Sequence, residues 1–316
     1  MNIIVTGGCG FIGTNFVRVL LNNEPGADIT IIDKLTYAGK LEHIKDIRSK
    51  IKFSRCDIGN KKEIEKIIKD ADIVVNFAAE THVDKSIINP LSFLKSNIFG
   101  LYGLLEAARK ADLKRFVQIS TDEVYGSKNS GSFNEDDMLK PSNPYSATKA
   151  AGDHLVYSYV NTYGLNAIVT RCTNNYGPYQ NPEKLIPKAI VRALTNKPIP
   201  VYARGRNVRD WIYVEDHCRA VMTALKKGKK GETYNIAGEN EKPNIEIVKM
   251  ILDILGKSTD LIKFVEDRPG HDFRYSIECK KIKKLGWKRK YGLKDGLRKT
   301  VDWYQKNAFA VSGRIK

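Results

Sequence analysis

The sequence predicts an α/β fold, a doubly wound parallel sheet with a smaller C-terminal lobe packed on it. Three observations carry that reading. Apolar runs alternate with amphipathic stretches along most of the chain. The apolar runs are continuous rather than alternating, as strands covered on both faces require. A glycine-rich turn joins the first strand to the first helix.

Strands are expected at 2–6, 28–32, 51–56, 73–77, 116–120, 167–171 and 233–236. Helices are expected between them at 11–22, 61–69, 92–111, 146–163 and 214–226. After Thr173 the alternation loosens, and Pro178, Pro182, Pro187, Pro198 and Pro200 punctuate a region with one clear helix. Two more helices follow at 245–255 and 293–306. We expect residues 1–172 plus about 207–237 to form the sheet domain, and about 173–206 plus 238–316 to form the second lobe of a cleft. Tyr102, Tyr157 and Tyr159 sit at helical spacing among apolar residues and are expected in the core.

With 316 residues, 42% of them hydrophobic, the chain can bury a full core. Five cysteines, never in C-x-x-C spacing, fit a reducing compartment and argue against a disulfide frame or a zinc site. A strand starting at residue 2 leaves no room for a signal peptide, and no apolar stretch reaches about 18 residues. A cytoplasmic location away from membranes is expected. The net charge of +17 permits a nucleic-acid partner. The lysines, however, fall in short clusters opposite apolar positions, as in KEIEKIIK at 62–69, which reads as a solvated helix face. No nucleic acid is expected, and the excess positive charge favours an acidic small substrate.

The turn Thr6-Gly7-Gly8-Cys9-Gly10-Phe11-Ile12-Gly13 follows a strand and opens a helix. Glycines there let the backbone approach a pyrophosphate and leave the helix N-terminus open to its negative charge. The sheet is therefore of the Rossmann type. Asp33 ends the second strand, 20 residues after Gly13, where a carboxylate would accept the adenosine ribose hydroxyls and repel a 2′-phosphate. NAD is expected rather than NADP. Asp57, ending the third strand, is placed to reach the adenine amino group.

Tyr145 and Lys149, four apart, share one face of a helix. A nearby ammonium stabilises a phenolate and lowers its pKa toward working pH, making a usable general base. About twenty residues earlier, Thr121-Asp122-Glu123 follows a strand. A plain dehydrogenase needs one acid/base; two further carboxylic acids suggest that a proton also leaves carbon and a hydroxyl leaves as water. His43, His154 and His217 show no metal-like grouping and read as ordinary helix or surface residues, and no metal is expected.

These motifs resemble the extended short-chain dehydrogenase/reductase superfamily. Within it the chain is similar to the nucleotide-sugar 4,6-dehydratases, above all those acting on dTDP-glucose. The matching stretches are DKLTYAG at 33–39, AAETHVDKS at 78–86, STDEVYG at 120–126, CTNNYGPY at 172–179, PEKLIP at 182–187, NVRDW at 207–211 and DRPGHD at 267–272. Related 4-epimerases and decarboxylases usually carry a small hydroxyl-rich segment where this chain has Asp122-Glu123.

The resemblance implies a lyase with tightly held NAD. Tyr145 would take the proton of the sugar 4-hydroxyl, Thr121 would position that hydroxyl, Glu123 would take the C5 proton, and a protonated Asp122 would deliver a proton to the departing C6 hydroxyl. Lys149 would support Tyr145. Cofactor contacts are implied for Gly7, Gly10, Phe11, Ile12, Gly13, Asp33, Lys34, Leu35 and Thr36. They are also implied for Asp57, Ile58, Phe77, Ala78, Ala79, Thr81, Ser96, Tyr145, Lys149 and Asn175. The nucleotide sugar would meet Thr81, Thr121, Asn174, Lys184, Leu185, Pro200, Tyr202, Asn244 and His271, with Arg209 and Arg268 gripping the diphosphate. A homodimer through helices 92–111 and 146–163 is implied as well.

The chain departs from the family pattern at Lys85, where arginine is usual, and at Thr81, where serine is common. Ala203-Arg204-Gly205-Arg206 replaces a glycine-rich segment carrying an acid. Thymine and uracil differ by one methyl, worth about 1–3 kcal/mol, so a UDP-sugar dehydratase stays open beside the dTDP-sugar enzyme. A sister 4-epimerase or UDP-glucuronate decarboxylase, and a noncatalytic NAD-sensing protein binding nucleic acid, are the readings from other classes.

Overall fold

A computed structural model describes residues 1–267 and 272–307. Among the described residues there are twelve strands: β1 (Asn2–Thr6), β2 (Asp28–Ile32), β3 (Lys52–Ser54), β4 (Ile73–Asn76), β5 (Arg115–Thr121), β6 (Ala167–Cys172), β7 (Asn174–Tyr176), β8 (Ile199–Tyr202), β9 (Val208–Tyr213), β10 (Thr233–Ile236), β11 (Glu241–Pro243) and β12 (Ile262–Val265). Seven of them form one parallel sheet in the order β3-β2-β1-β4-β5-β6-β10. The winding reverses between β1 and β4, so a crevice opens outside the carboxyl ends of those two strands.

Alternate strand residues feed two cores. Ile3, Val5, Ile31, Val75 and Val117 join one with α1 (Phe11–Asn23). Ile4, Ile32, Val74 and Phe116 join the other with α2 (Lys61–Ile68). The loop after β4 leads into two short helices, α3 (Val83–Ile88) and α4 (Pro90–Phe93). The expected helix at 92–111 is then interrupted: a π-helical stretch, Leu94–Gly100, precedes α5 (Leu101–Lys110). The irregular turn serves buried polar contacts, since Asn97 Nδ2 donates to the Glu80 carbonyl and to Thr148 Oγ1, each at 2.9–3.0 Å.

Helix α6 (Pro144–Tyr163) begins with a capping box: Asn143 Oδ1 accepts from the Ser146 N–H and Ser146 Oγ accepts from the Asn143 N–H. Buried inside the fold, Arg171 on β6 meets Asp153 of α6 at 2.9 Å and the Tyr125 hydroxyl at 2.7 Å, tying that helix to the sheet. Tyr159 is buried as expected, but Tyr102 is 42% exposed and is not a core residue.

A third core belongs to the segment after β6. It gathers α7 (Leu185–Leu194), α9 (Asn244–Leu255) and α11 (Leu293–Lys306) around Ile190, Val201, Trp211, Ile251 and Val301. Helix α8 (Val214–Lys227) returns to pack on α1, and α10 (Lys280–Lys284) lies near β10. Strand β9, whose residues the sequence puts on the sheet-domain side of the expected boundary, pairs instead with β7 and β11 in a separate three-stranded sheet. Strands β8 and β12 form a parallel pair.

Candidate active site

The glycine turn sits at the crevice. Gly7 has φ of 65°, and a Cβ there would lie 2.7 Å from the Ala78 nitrogen; one on Gly13 would lie 2.3 Å from the Gly7 carbonyl oxygen. Only glycine lets these backbones approach so closely. Below them a buried chain crosses three strands: Thr6 Oγ1 donates to Asn76 Oδ1 at 2.5 Å, and Asn76 Nδ2 to Gln118 Oε1 at 2.8 Å. Helix α1 starts at Gly10 with no side-chain cap, which leaves its first N–H groups free for an anion.

Two adjoining cavities open here. The first is lined by Gly7, Gly10, Asp33, Lys34, Thr36, Ile58, Phe77, Ala78, Ala79 and Ser96 among others. Asp33 is nearly buried, its Oδ1 accepting from the Leu35 N–H at 2.8 Å and its Oδ2 from the Cys9 N–H at 3.0 Å. Burial raises its carboxyl pKa, and those two bonds and Lys34 oppose the rise. Leu35 and Asp57 do not line the cavity. Leu35 braces Asp33 through its N–H, and Asp57 holds Lys34 Nζ at 3.4 Å, while Lys34 also donates to Ser96 Oγ at 3.2 Å. A cradle that a Cβ would fill, an open helix end and a carboxylate at the far strand fit a dinucleotide such as NAD.

The second cavity, about 1160 Å³ with its open mouth included, continues from Gly7, Gly10, Phe11, Ile12 and Gly13. Thr121, Asp122, Glu123, Tyr145 and Lys149 line it together with Thr81, Asn174, Asn175 and Lys184. Asp122 to Tyr125 form one helical turn at the carboxyl end of β5. Thr121 Oγ1 donates to Asp122 Oδ1 at 3.2 Å and accepts from the Glu123 N–H at 3.3 Å. Asp122 is 3% exposed, and its Oδ2 finds no hydrogen-bond partner among the described residues. Burial pushes its carboxyl well above the usual range, and the neighbouring Glu123 and Asp210 charges add to this.

Lys149 lines the cavity together with Tyr145. Lys149 Nζ donates to the Ile119 carbonyl at 2.6 Å, and burial lowers its own pKa. Burial, followed by the Glu123 charge, holds the Tyr145 phenol well above its ordinary value, while a hydrogen bond with Thr121 works against that rise. Desolvation is the largest contribution to that rise.

The second lobe contributes unevenly. Lys184 Nζ donates to the Thr81 carbonyl across the cleft at 3.3 Å. Leu185, Pro200, Tyr202, Arg209 and Asn244 line neither cavity. Arg209 is buried, lies 4.2 Å over the Tyr275 ring, and donates to the carbonyls of Val208 and Asp272 at 2.7 and 2.8 Å. Asn244 begins α9 with its Oδ1 buried and unpartnered among the described residues, as is the Oδ1 of Asn174. Arg268 and His271 lie outside the described residues.

The cleft also holds residues that sequence reasoning did not single out. Tyr37, Cys172, Thr173, Gln180, Asn181 and Glu183 line it. Tyr37 and Glu183 fall inside stretches that already carried the resemblance, which was the available signal. Tyr275, whose hydroxyl bonds Asp272 Oδ2 at 2.6 Å and stands 3.5 Å from Glu123 Oε2, carried none. His217, read as an ordinary helix residue, is fully buried, with Nδ1 2.8 Å from Asn175 Oδ1.

Comparisons with known proteins agree with this geometry. The low-salt glycan biosynthesis protein Agl12 of Haloferax volcanii is 50% identical over 306 residues, 96% of this chain and 98% of that protein. The dTDP-glucose 4,6-dehydratase of Streptomyces niveus is 47% identical over 315 residues, 97% of this chain and 94% of its own. Among solved structures, DesIV, a dTDP-glucose 4,6-dehydratase from Streptomyces venezuelae with NAD bound, superposes with a TM-score of 0.97 at 41% identity, covering 99% of both chains. A sequence model described as GDP-mannose 4,6 dehydratase matches residues 4–300. The chain belongs to that dehydratase family.

Proposed function

We propose that this protein is an NAD-dependent hydro-lyase that converts dTDP-glucose to dTDP-4-keto-6-deoxyglucose. The observation that carries the reading is the dry carboxyl of Asp122, beside Glu123 and Tyr145, in a cleft continuous with the glycine turn. NAD, held by the glycine turn and Asp33, supplies the acceptor for the C4 hydride and later the donor of hydride to C6.

In this reading Tyr145, hydrogen-bonded to Thr121, takes the O4 proton as a phenolate, a form that the Lys149 ammonium on the same helix face and the positive charge of bound NAD would favour against burial. The ketone left at C4 acidifies the C5 hydrogen, which Glu123 removes. Asp122 stays protonated because it is desolvated beside a second carboxylate, so it can give its proton to the departing C6 hydroxyl, which leaves as water. Hydride addition at C6 and return of the Glu123 proton to C5 complete the product, and the O4 proton left on Tyr145 balances the one that Asp122 gave to the departing water. The other assigned residues, Arg209, Arg268, Asn244 and His271 among them, are proposed to hold the nucleotide half. A 4-epimerase would have no use for a protonated Asp122 at this place. Residues 1–172 with about 207–237 remain our proposal for the cofactor domain, although β9 pairs outside the main sheet.

The same reading makes the protein a cytoplasmic homodimer. Phe99, Tyr102 and Tyr163 are 42–64% exposed on the helices proposed to pair, and all five cysteines are unpaired and buried. No described helix is long and apolar enough to cross a membrane. Many lysines are matched by acids, such as Lys110 by Glu65 at 2.7 Å and Lys283 by Glu239 at 2.5 Å, which supports a solvated surface rather than a polynucleotide track.

Incubation with dTDP-glucose is expected to yield a 4-keto product detected by its absorbance in alkali; no product from dTDP-, UDP-, CDP- or GDP-sugars would reject the reaction. Glu123→Gln should cut turnover by about 10²-fold or more while substrate and NAD still bind, and undiminished turnover would remove Glu123 from the mechanism. For Asp122, a folded-state pKa raised above the unfolded value costs stability that appears as pH climbs past about 4. Asp122→Asn should therefore gain more melting temperature at pH 8 than at pH 5, and the opposite order would contradict a raised pKa. Sedimentation velocity should give twice the monomer mass, falling to the monomer mass in Phe99→Glu.

A further inference from the structure

His217 is the one fully buried histidine among the described residues, and the reaction proposed above does not use it. It stands on the first turns of α8 and points across to β7, where Asn175 lines the cleft. The distance from His217 Nδ1 to Asn175 Oδ1 is 2.8 Å.

The rest of the network fixes which atom donates. Asn175 Nδ2 is committed to the Thr173 carbonyl at 3.0 Å and to Cys172 Sγ at 3.3 Å. Its amide oxygen must then be the acceptor toward the imidazole, and His217 must carry its proton on Nδ1. The far nitrogen, Nε2, is buried and has no hydrogen-bond partner among the described residues. Burial holds the imidazole down at about 3, so the ring stays neutral through the working range.

The amide so oriented touches what matters. Cys172 lines the same cleft wall as Lys149, and its Sγ rests 3.6 Å from the Ser120 carbonyl, at the end of β5 just before Thr121 and Asp122. With the Asn175 oxygen turned to His217, the edge toward Cys172 is an N–H edge. A flipped amide would set its carbonyl oxygen against the Thr173 carbonyl, replacing a hydrogen bond with two facing acceptors.

We propose that His217 is a positioning residue: as a neutral Nδ1–H donor it locks the Asn175 carboxamide in the one orientation that donates to Thr173 and Cys172, which line the cofactor side of the cleft. This rests on the NAD-binding reading of that cleft. The imidazole does not reach the cleft and acts only through Asn175.

Two readouts test it without turnover. In ¹⁵N-labelled protein, the two-bond spectrum of the histidine that disappears in His217→Asn should show protonated Nδ1 and unprotonated Nε2, unchanged from pH 6 to pH 9. A protonated Nε2, or a ring that titrates in that range, overturns the proposal. NAD affinity of cofactor-stripped protein is the second. His217→Asn places an amide N–H where Nδ1 was and should bind NAD within a few-fold of wild type, whereas His217→Leu should bind about tenfold or more weakly, the effect of one buried hydrogen bond. Equal losses in both variants, or none in His217→Leu, would sink the assignment; should neither variant fold, wild-type protein assigned by selective unlabelling still decides by its spectrum. A chain that makes no 4-keto product yet gives this pattern would refute the proposed reaction and leave His217 standing.

Discussion

The site depends on keeping one carboxyl dry at the end of a central strand. Asp122 sits where β5 runs out beneath the cleft, shielded by the fold and crowded by Glu123 and Asp210. In water a carboxylic acid is ionised at neutral pH and cannot donate a proton. Desolvation and like charge reverse that preference, and the opposing charge of Arg209 does not outweigh them. Burial costs stability, so the surrounding structure must over-determine the position.

That structure comes from two sides. The Thr6–Asn76–Gln118 chain locks the carboxyl ends of β1 and β4 to the middle of β5, so the glycine turn and the acid pair share one base. Helix α6, which carries Tyr145 and Lys149, is fixed at its start by the Asn143–Ser146 capping box and farther along by the buried Arg171–Asp153 pair. Removing one partner of such a pair typically costs about 3–5 kcal/mol, because the other charge is stranded in a dry interior. The cofactor cradle, the acid pair and Tyr145 therefore rest on one connected frame.

Most of this was legible in the chain because its signals are local. The strands at 2–6, 28–32 and 233–236 and the helix at 293–306 coincide with the observed elements, since continuous apolar runs and helical periodicity need only neighbouring residues. The glycine turn and the Thr121–Glu123 and Tyr145–Lys149 motifs likewise fall where their order implied, around one cavity. What stayed hidden depends on partners distant in sequence. Strand β9 reads as VRDWIY, with no periodicity to announce its pairing between β7 and β11. The π-helical turn at Leu94–Gly100 answers to Glu80 and Thr148, and the restraint on Lys149 comes from a carbonyl thirty residues away. Tyr102 has the spacing of a core residue but stands on an exposed helix face, which periodicity alone cannot distinguish from a buried one.

The most direct test of the account is the protonation state of Asp122 in the intact enzyme. Infrared difference spectroscopy of wild type against Asp122→Asn at pH 7.5 should reveal the carbonyl stretch of a neutral, weakly hydrogen-bonded carboxylic acid that vanishes in the variant. Carboxylate bands at that pH, with no acid band lost on substitution, would mean that Asp122 is ionised and cannot supply the proton that dehydration requires.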